Sequence, residues 1–222
     1  MKEIILDTET TGLSVKDGHR IVEIGCIELD NLVPTKNIFH CYLNPERKVS
    51  EKAFEVHGYS DQFLSDKKKF FEIADKFLNF IKDKKIIIHN AEFDISHLNN
   101  ELSIAGKPEI NKETTVDTLD LARNKFPGSG ISLDALCKRF RIDNSKREKH
   151  TALIDCELLA KVYINLLDQK EPKLNFSSSV DINSVKTQNK NITYSKKIVY
   201  PTLEELEQHR EFLKRDLKKN FY

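Results

Sequence analysis

EIILDTETTG, residues 3–12, decides how the rest of the chain is read. Glu3-Ile4-Ile5-Leu6 has the apolar character of a strand, and Thr10-Thr11-Gly12 with the later Asp17-Gly18 are turn signals. Between them stand two acids, Asp7 and Glu9. On an extended chain residues two apart point to the same side, so their carboxylates share one face. Acids at the end of a buried strand are costly without a counter-charge. They either hold a divalent cation between them or belong to an ordinary turn, where Asp and Thr are common.

Moving outward, RIVEIGCIEL (20–29) and KNIFHCYL (36–43) give a second and a third strand. Short connections between the three predict antiparallel pairing. From Val49 the period lengthens. Residues 70–82 place Phe70, Ile73, Phe77 and Ile81 on one helical face. KKIIIHN reads as a short buried strand, and the helix after it closes at Gly106 and Pro108. TTVDT predicts a further strand. Ser132 caps a helix over SLDALCKRF, and TALIDCELLAKVYINLL is a helix with apolar positions at 152, 156, 159, 160, 163, 166 and 167. Antiparallel strands followed by alternating strands and helices make an α/β protein with a mixed sheet.

The pattern ends near Gln169. Residues 171–198 are polar and read as a flexible linker, about 28 residues spanning roughly 30 Å. Beyond it Thr202 and Glu205 form a capping box for a helix whose Leu203, Leu206, Leu213 and Leu217 make an apolar stripe. Such a stripe needs a cover, from a partner or from the chain's own body.

The chain has 222 residues, 39% of them apolar, enough for one domain with an appendage. Its opening apolar run is too short for a signal peptide, and no later run reaches membrane length. Cys26, Cys41, Cys137 and Cys156 are scattered among apolar neighbours, as in a cytoplasmic protein with reduced thiols. The net charge of +1 is unevenly divided. Residues 171–222 hold 10 Lys and Arg against 7 Asp and Glu, leaving 26 against 28 for residues 1–170. A slightly acidic body gains little from counterion release on DNA.

Three further residues join the first two acids. Asp94 follows the IIIHN strand and suits either a helix N-cap, as does Asn90, or a metal site. His150 and Asp155 are five apart, about 140° around a helix. His150 therefore belongs to the loop before the helix and Asp155 one turn inside, at the border of the apolar stripe. Four acids coexist as charges only around a cation. With a histidine able to take a proton near neutral pH, the set predicts phosphodiester hydrolysis by metal-activated water.

DTETTG, HNAEFD and HTALIDCELLAKVY resemble the three motifs of the DEDD superfamily of 3′→5′ exonucleases, in its histidine branch. FEVHGYSDQFL, ISLDALCKRFRIDNSKR and the last helix resemble the proofreading subunits of bacterial replicative DNA polymerases. The resemblance is dense over residues 3–167 and returns weakly at 197–217. It implies a ribonuclease H-like fold with a five-stranded mixed sheet flanked by helices. It also implies an exonuclease domain over 1–170, a linker over 171–198 and a polymerase-docking segment over 199–222.

It further implies two Mg²⁺ or Mn²⁺ ions: Asp7 bridging both, Glu9 and Asp155 on the first, Asp94 orienting the second, and His150 as base. Asp7, Glu9, Thr10, Thr11, Gly12, Val56, His57, Phe93 and Asp155 would hold the terminal nucleotide of a DNA 3′ end. Arg139, Arg141, Lys146, Arg147 and Lys149 form a run that either touches the DNA backbone or is solvated surface. Residues 171–176, EPKLNF, stand where the family carries a sliding-clamp peptide, with Glu171 in place of its leading glutamine. Two rival readings keep parts of this picture. One is an RNA-trimming exonuclease of the same superfamily, and the other a non-catalytic bridge between polymerase and clamp.

Overall fold

The computed structural model describes residues 2–145, 147, 149–167 and 200–216. Two units are distinguished, 1–174 and 175–222. The first is built on five strands in the order β3-β2-β1-β4-β5. They are β1 (Lys2–Thr10), β2 (Ile21–Asp30), β3 (Val33–Tyr42), β4 (Lys85–Ile88) and β5 (Thr115–Asp117). The first three pair antiparallel, whereas β4 joins β1 and β5 joins β4 in parallel, so the sheet is mixed. β2 turns into β3 through Asn31 and Leu32, both at positive φ. The hairpin is therefore tighter, and β3 begins earlier, than its Lys36 start in the sequence suggested.

β1 also runs further than its apolar residues alone. It continues through Asp7 and Glu9 to Thr10, with a register shift after Glu9. Alternation along it then sorts side chains by face. Ile4 and Leu6 join the core formed with α3 (Phe70–Ile81) and α4 (Ala91–Ile104). Ile5 joins the opposite core, with α5 (Thr118–Lys125), α6 (Leu133–Phe140) and α7 (Ala152–Leu166). Helices thus cover both faces, and the sheet is the middle of three layers.

The helix over 70–81 buries Phe70, Ile73, Phe77 and Ile81 as its period predicts. Ser132 caps α6 by accepting from the Ala135 N–H at 3.2 Å, and Thr151 caps α7 by accepting from Ile154 N–H. α1 (Glu51–His57), α2 (Asp61–Leu64) and α5 are additions to the sequence reading. They are short and lack a long apolar stripe, so their caps mark them better than their period. Ser50 and Ser60 accept from Ala53 and Phe63 N–H, and Asp117 caps α5.

In the second unit α8 spans Leu203–Asp216, and Thr202 and Glu205 form the expected capping box. Leu203 is 84% exposed, and Phe212 is exposed with it. The EPKLNF segment, the linker and Leu217 lie outside the described residues. Among the described residues no helix is long and apolar enough to cross a membrane.

Candidate active site

Asp7 and Glu9 are side by side on the face of β1 that α7 covers, and Asp155 lies one turn into α7, buried against them. Asp94 comes from the other side of the sheet. It is not the cap of α4, because Asn90 takes that position in a left-handed conformation. The Asp94 carboxylate instead reaches β1, where its Oδ1 accepts from the Thr8 backbone N–H at 3.0 Å and the Thr8 hydroxyl at 2.7 Å. Asp117 braces this helix start by accepting from the N–H groups of Asn90 and Ala91, both at 3.0 Å.

His150 is in the loop before α7, and its own N–H donates to the Val56 carbonyl at 3.1 Å. Asp7, Glu9, Asp94, His150 and Asp155 all line one cleft of about 480 Å³. Ligating atoms of Glu9, His150 and Asp155 lie within 4.8 Å of one another. The sequence reading made His150 a base and Asp7 the bridging ligand. Among the described residues, the three whose ligating atoms come this close include His150, and Asp7 lines the same cleft.

Electrostatics divide the acids. Burial, then the charges of Asp94, Glu9 and Asp155, hold the Asp7 carboxyl well above its usual range. Burial followed by Asp155 and Glu23 pushes Glu9 up to about 8. Burial also raises Asp94 to about 7, although the bonds from Thr8 oppose it. Asp155 is the exception. Burial pushes it up, but His150 beside it and the hydrogen bonds and charge of Arg147 outweigh that and hold it low. Three carboxyls unable to ionise comfortably, facing one that does, suit a divalent cation.

Arg147 is the site residue that sequence reading misassigned. Its side chain is only 8% exposed, not spread on a DNA-facing surface. The guanidinium forks onto Asp155, Nε to Oδ1 at 2.5 Å and Nη2 to Oδ2 at 2.8 Å, and Nη1 reaches Asp134 at 2.7 Å. Nη2 is also 2.8 Å from His150 Nδ1, so that nitrogen accepts and the neutral ring carries its proton on Nε2. The signal available was the acid at the stripe border of α7, which called for a nearby cation. Lys149 is exposed, and it donates to the Glu55 carbonyl at 2.6 Å. Arg139 lies over the Phe126 ring.

A second cleft, of about 500 Å³, shares Glu9 and Phe93 with the first and adds Thr10, Gly12, Val56 and His57. His57 is buried and fixed: its Nδ1 accepts from Tyr59 N–H at 3.0 Å, so Nε2 donates to the Thr10 carbonyl at 3.3 Å. Gly12 has no room for a side chain, since a Cβ would sit 2.3 Å from the His19 ring. Thr11 is the member of the expected nucleotide set left out of both clefts. It is fully buried, and its hydroxyl pairs with His19 Nδ1 at 3.0 Å and accepts from Arg20 N–H.

The exonuclease family (RNase T type) matches residues 4–163, and the chain belongs to that family. Within it, the chain is 52% identical over 224 residues to the DNA polymerase III subunit epsilon of Rickettsia conorii, covering 98% of this chain and 97% of the relative. The Escherichia coli subunit of the same name is 48% identical over 171 residues, covering 73% of this chain and 70% of the relative. The structure is similar to exonuclease X in complex with 5′ overhanging duplex DNA, with TM-score 0.59, 27% identity, and coverage of 75% of this chain and 92% of that one. The nuclease domain of 3′hExo, a DEDDh family member bound to rAMP, shares the fold at TM-score 0.66 and 17% identity, covering 76% and 92%. The chain is thus a nuclease of the epsilon type with the ribonuclease H-like architecture, and its family works with divalent metals.

Proposed function

We propose that this epsilon-type 3′→5′ exonuclease removes mispaired terminal nucleotides from DNA by two-metal hydrolysis. The observation that carries the reading is the meeting of Asp7 and Glu9 with Asp155 across the sheet–helix seam, with Asp94 brought in through Thr8. In this reading Asp7, Glu9 and Asp155 would hold one Mg²⁺ or Mn²⁺, and Asp7 would also hold the other, which Asp94 would orient. Two such ions would supply an activated water and stabilise both the attacking and the leaving oxygen.

The chain's own residues do the rest. Glu9, Phe93, Val56 and His57 wall the terminal nucleotide, and Phe93 offers a face for stacking. A frayed mispair enters this cleft at less cost than a paired end, so errors are preferred without base readout. His150 takes a proton from the attacking water at Nδ1, the nitrogen that Arg147 now occupies. Asp155 Oδ2, 3.3 Å from that nitrogen, then steadies the charged ring.

Residues 1–170 form the exonuclease domain, 171–198 a tether with a clamp peptide, and 199–222 the segment that docks the catalytic alpha subunit of a cytoplasmic DNA polymerase III. The exposed Leu203 and Phe212 of α8 and the weakly charged body support that delivery role. The test compares frayed DNA primers with short RNA in Mg²⁺ or Mn²⁺, and pulls down the alpha subunit with and without residues 199–222. Clear preference for RNA refutes proofreading, binding unaffected by truncation refutes the docking segment, and intact single-stranded DNA in Mn²⁺ leaves a non-catalytic bridge.

A further inference from the structure

One acid near the cleft belongs to no ligand set. Glu23 is the third residue of β2, fully buried, directly across from Glu9 in the β1–β2 register. Its hydrogen-bond partners among the described residues are a histidine, a phenol and a backbone N–H. Oε1 meets His40 Nε2 at 2.7 Å, while Oε2 accepts from the Tyr59 hydroxyl at 2.8 Å and from Ala152 N–H at 2.9 Å. Ala152 is the first residue of α7, so its N–H is one that the helix itself cannot satisfy, at the end where a negative charge is favoured.

Two further contacts show how closely this end is seated. α7 starts directly above Gly25, where a Cβ would lie 2.6 Å from the Ala152 carbonyl carbon. The preceding loop is pinned by His150 N–H and Lys149 Nζ to the Val56 and Glu55 carbonyls. His150 is thus caught between an anchor two residues after it, on α7, and one on α1. Tyr59, held by the same carboxylate, stacks on His57 with ring centroids 4.8 Å apart, and His57 walls the nucleotide cleft. Stability alone is a poor reason for this arrangement. A buried carboxylate carries a desolvation cost that an apolar side chain of similar volume avoids.

We infer that Glu23 is a positioning residue for the reaction, fixing the start of α7, and with it His150 and Asp155, against Glu9 and the nucleotide cleft. The inference rests on His150 and Asp155 being working residues. A shift of about 1 Å at a reacting group can cost about 10²-fold in rate. Glu23→Leu is therefore expected to lower kcat on a single-stranded oligonucleotide with Mg²⁺ by about 10- to 100-fold, with KM within twofold. Glu23→Gln can still accept from Ala152 and Tyr59 and turn its amide toward His40, and should recover most of the rate. Ala152→Pro deletes the N–H at a helix position where proline is at home, following a residue already extended. It tests the same bond should Glu23→Leu fail to fold, and should match its loss of kcat.

Ile73→Ala, in the core under α3, provides a variant of lowered Tm with an unaltered site. Equal loss of kcat in Ile73→Ala at equal Tm, or parental kcat in folded Glu23→Leu or Ala152→Pro, overturns the inference. His150→Ala run alongside separates the two levels. If it stays active the site reading fails and takes this one with it, whereas if it is inactive while the Glu23 and Ala152 variants work, only the positioning role falls.

Discussion

The site has two halves that solve the same electrostatic problem in opposite ways. On β1, Asp7 and Glu9 are held by the rigid centre of the sheet, and burial and the neighbouring carboxylates push both carboxyls up. On the loop and first turn of α7, Asp155 is just as buried but comes with its own cation, and the Arg147 fork keeps it ionised. The strand half is therefore strained for want of positive charge, whereas the helix half is satisfied. A catalytic ion would add stability to the first half and would compete with an existing partner in the second.

The largest effect that would break this contrast is on activity. On the proposed reading Asp7→Asn removes a ligand of the ions that stabilise charge at the reacting phosphate, and it should lower exonuclease kcat by roughly 10³-fold or more. In the metal-free protein at pH 8 it should raise Tm, because an uncompensated buried acid is removed. His150→Ala should cost about 10²–10⁴-fold as the loss of a base, yet keep the rise in Tm on adding Mg²⁺ that Asp7→Asn abolishes. If Asp7→Asn lowers Tm without metal, the strand half is not strained.

The strand half was also the legible half. Two acids at alternate positions after an apolar run announce a shared face, and nothing distant alters that arithmetic. The sequence stopped the strand at Leu6, because propensity favours apolar residues, whereas pairing with β2 carries it to Thr10. The helix half was legible in position, since the five-residue spacing put His150 in a loop and Asp155 inside α7. It was not legible in pairing. Arg147 belongs to a charged run that reads as surface, and only the return of that loop onto α6 and α7 turns it inward between Asp134 and Asp155. The partner of Thr11 was hidden for the same reason: the DTETTG motif sets its neighbours on the cleft, but the His19 turn folds back and captures its hydroxyl. Asp94 was ambiguous with a cap until β1 supplied Thr8 as its partner.

On stability, the helix half gives the next largest effect. Asp155→Asn leaves Arg147 buried with only the more exposed Asp134 to face. Breaking a buried pair costs about 3–5 kcal/mol, and the surviving contact sets this case near the lower end. At about 2–4 °C per kcal/mol for a chain of this size, Tm should fall by about 6–12 °C, opposite in sign to Asp7→Asn. Thermal denaturation without metal checks it, and a rise in Tm for both variants would erase the distinction between the halves.

The pH dependence sharpens it further. Glu9 has an ordinary value of 4.5 and a folded value of about 8, so the unfolded chain gives up this proton well before the folded one. Folding then binds a proton, and this contribution to stability is complete below about 4.5 and drains away as pH rises to about 8. Asp94, raised to about 7, and Asp7 act in the same direction. Mg²⁺ relieves the repulsion only where the carboxyls would otherwise be ionised. The gain in Tm on adding Mg²⁺ should therefore grow between pH 5 and pH 8, and a gain that is flat or falls with pH contradicts the assignment.

The smallest effect separates charge from geometry in the helix half. Arg147→Lys keeps a cation beside Asp155 but replaces a planar fork with a point charge that cannot bridge Asp155, Asp134 and His150 at once. Asp155 should stay ionised, so the Tm loss should be about 1 kcal/mol, or about 2–4 °C, far less than for Asp155→Asn. A looser grip on Asp155 also makes the carboxylate easier to recruit, and the Mg²⁺ concentration at half-maximal Tm gain should fall. Both shifts follow from the fork being the competitor of the ion for one carboxylate. If Tm drops while the Mg²⁺ midpoint stays fixed, Arg147 braces the loop but does not compete for Asp155. The two halves would then differ in packing and not in how they meet the metal.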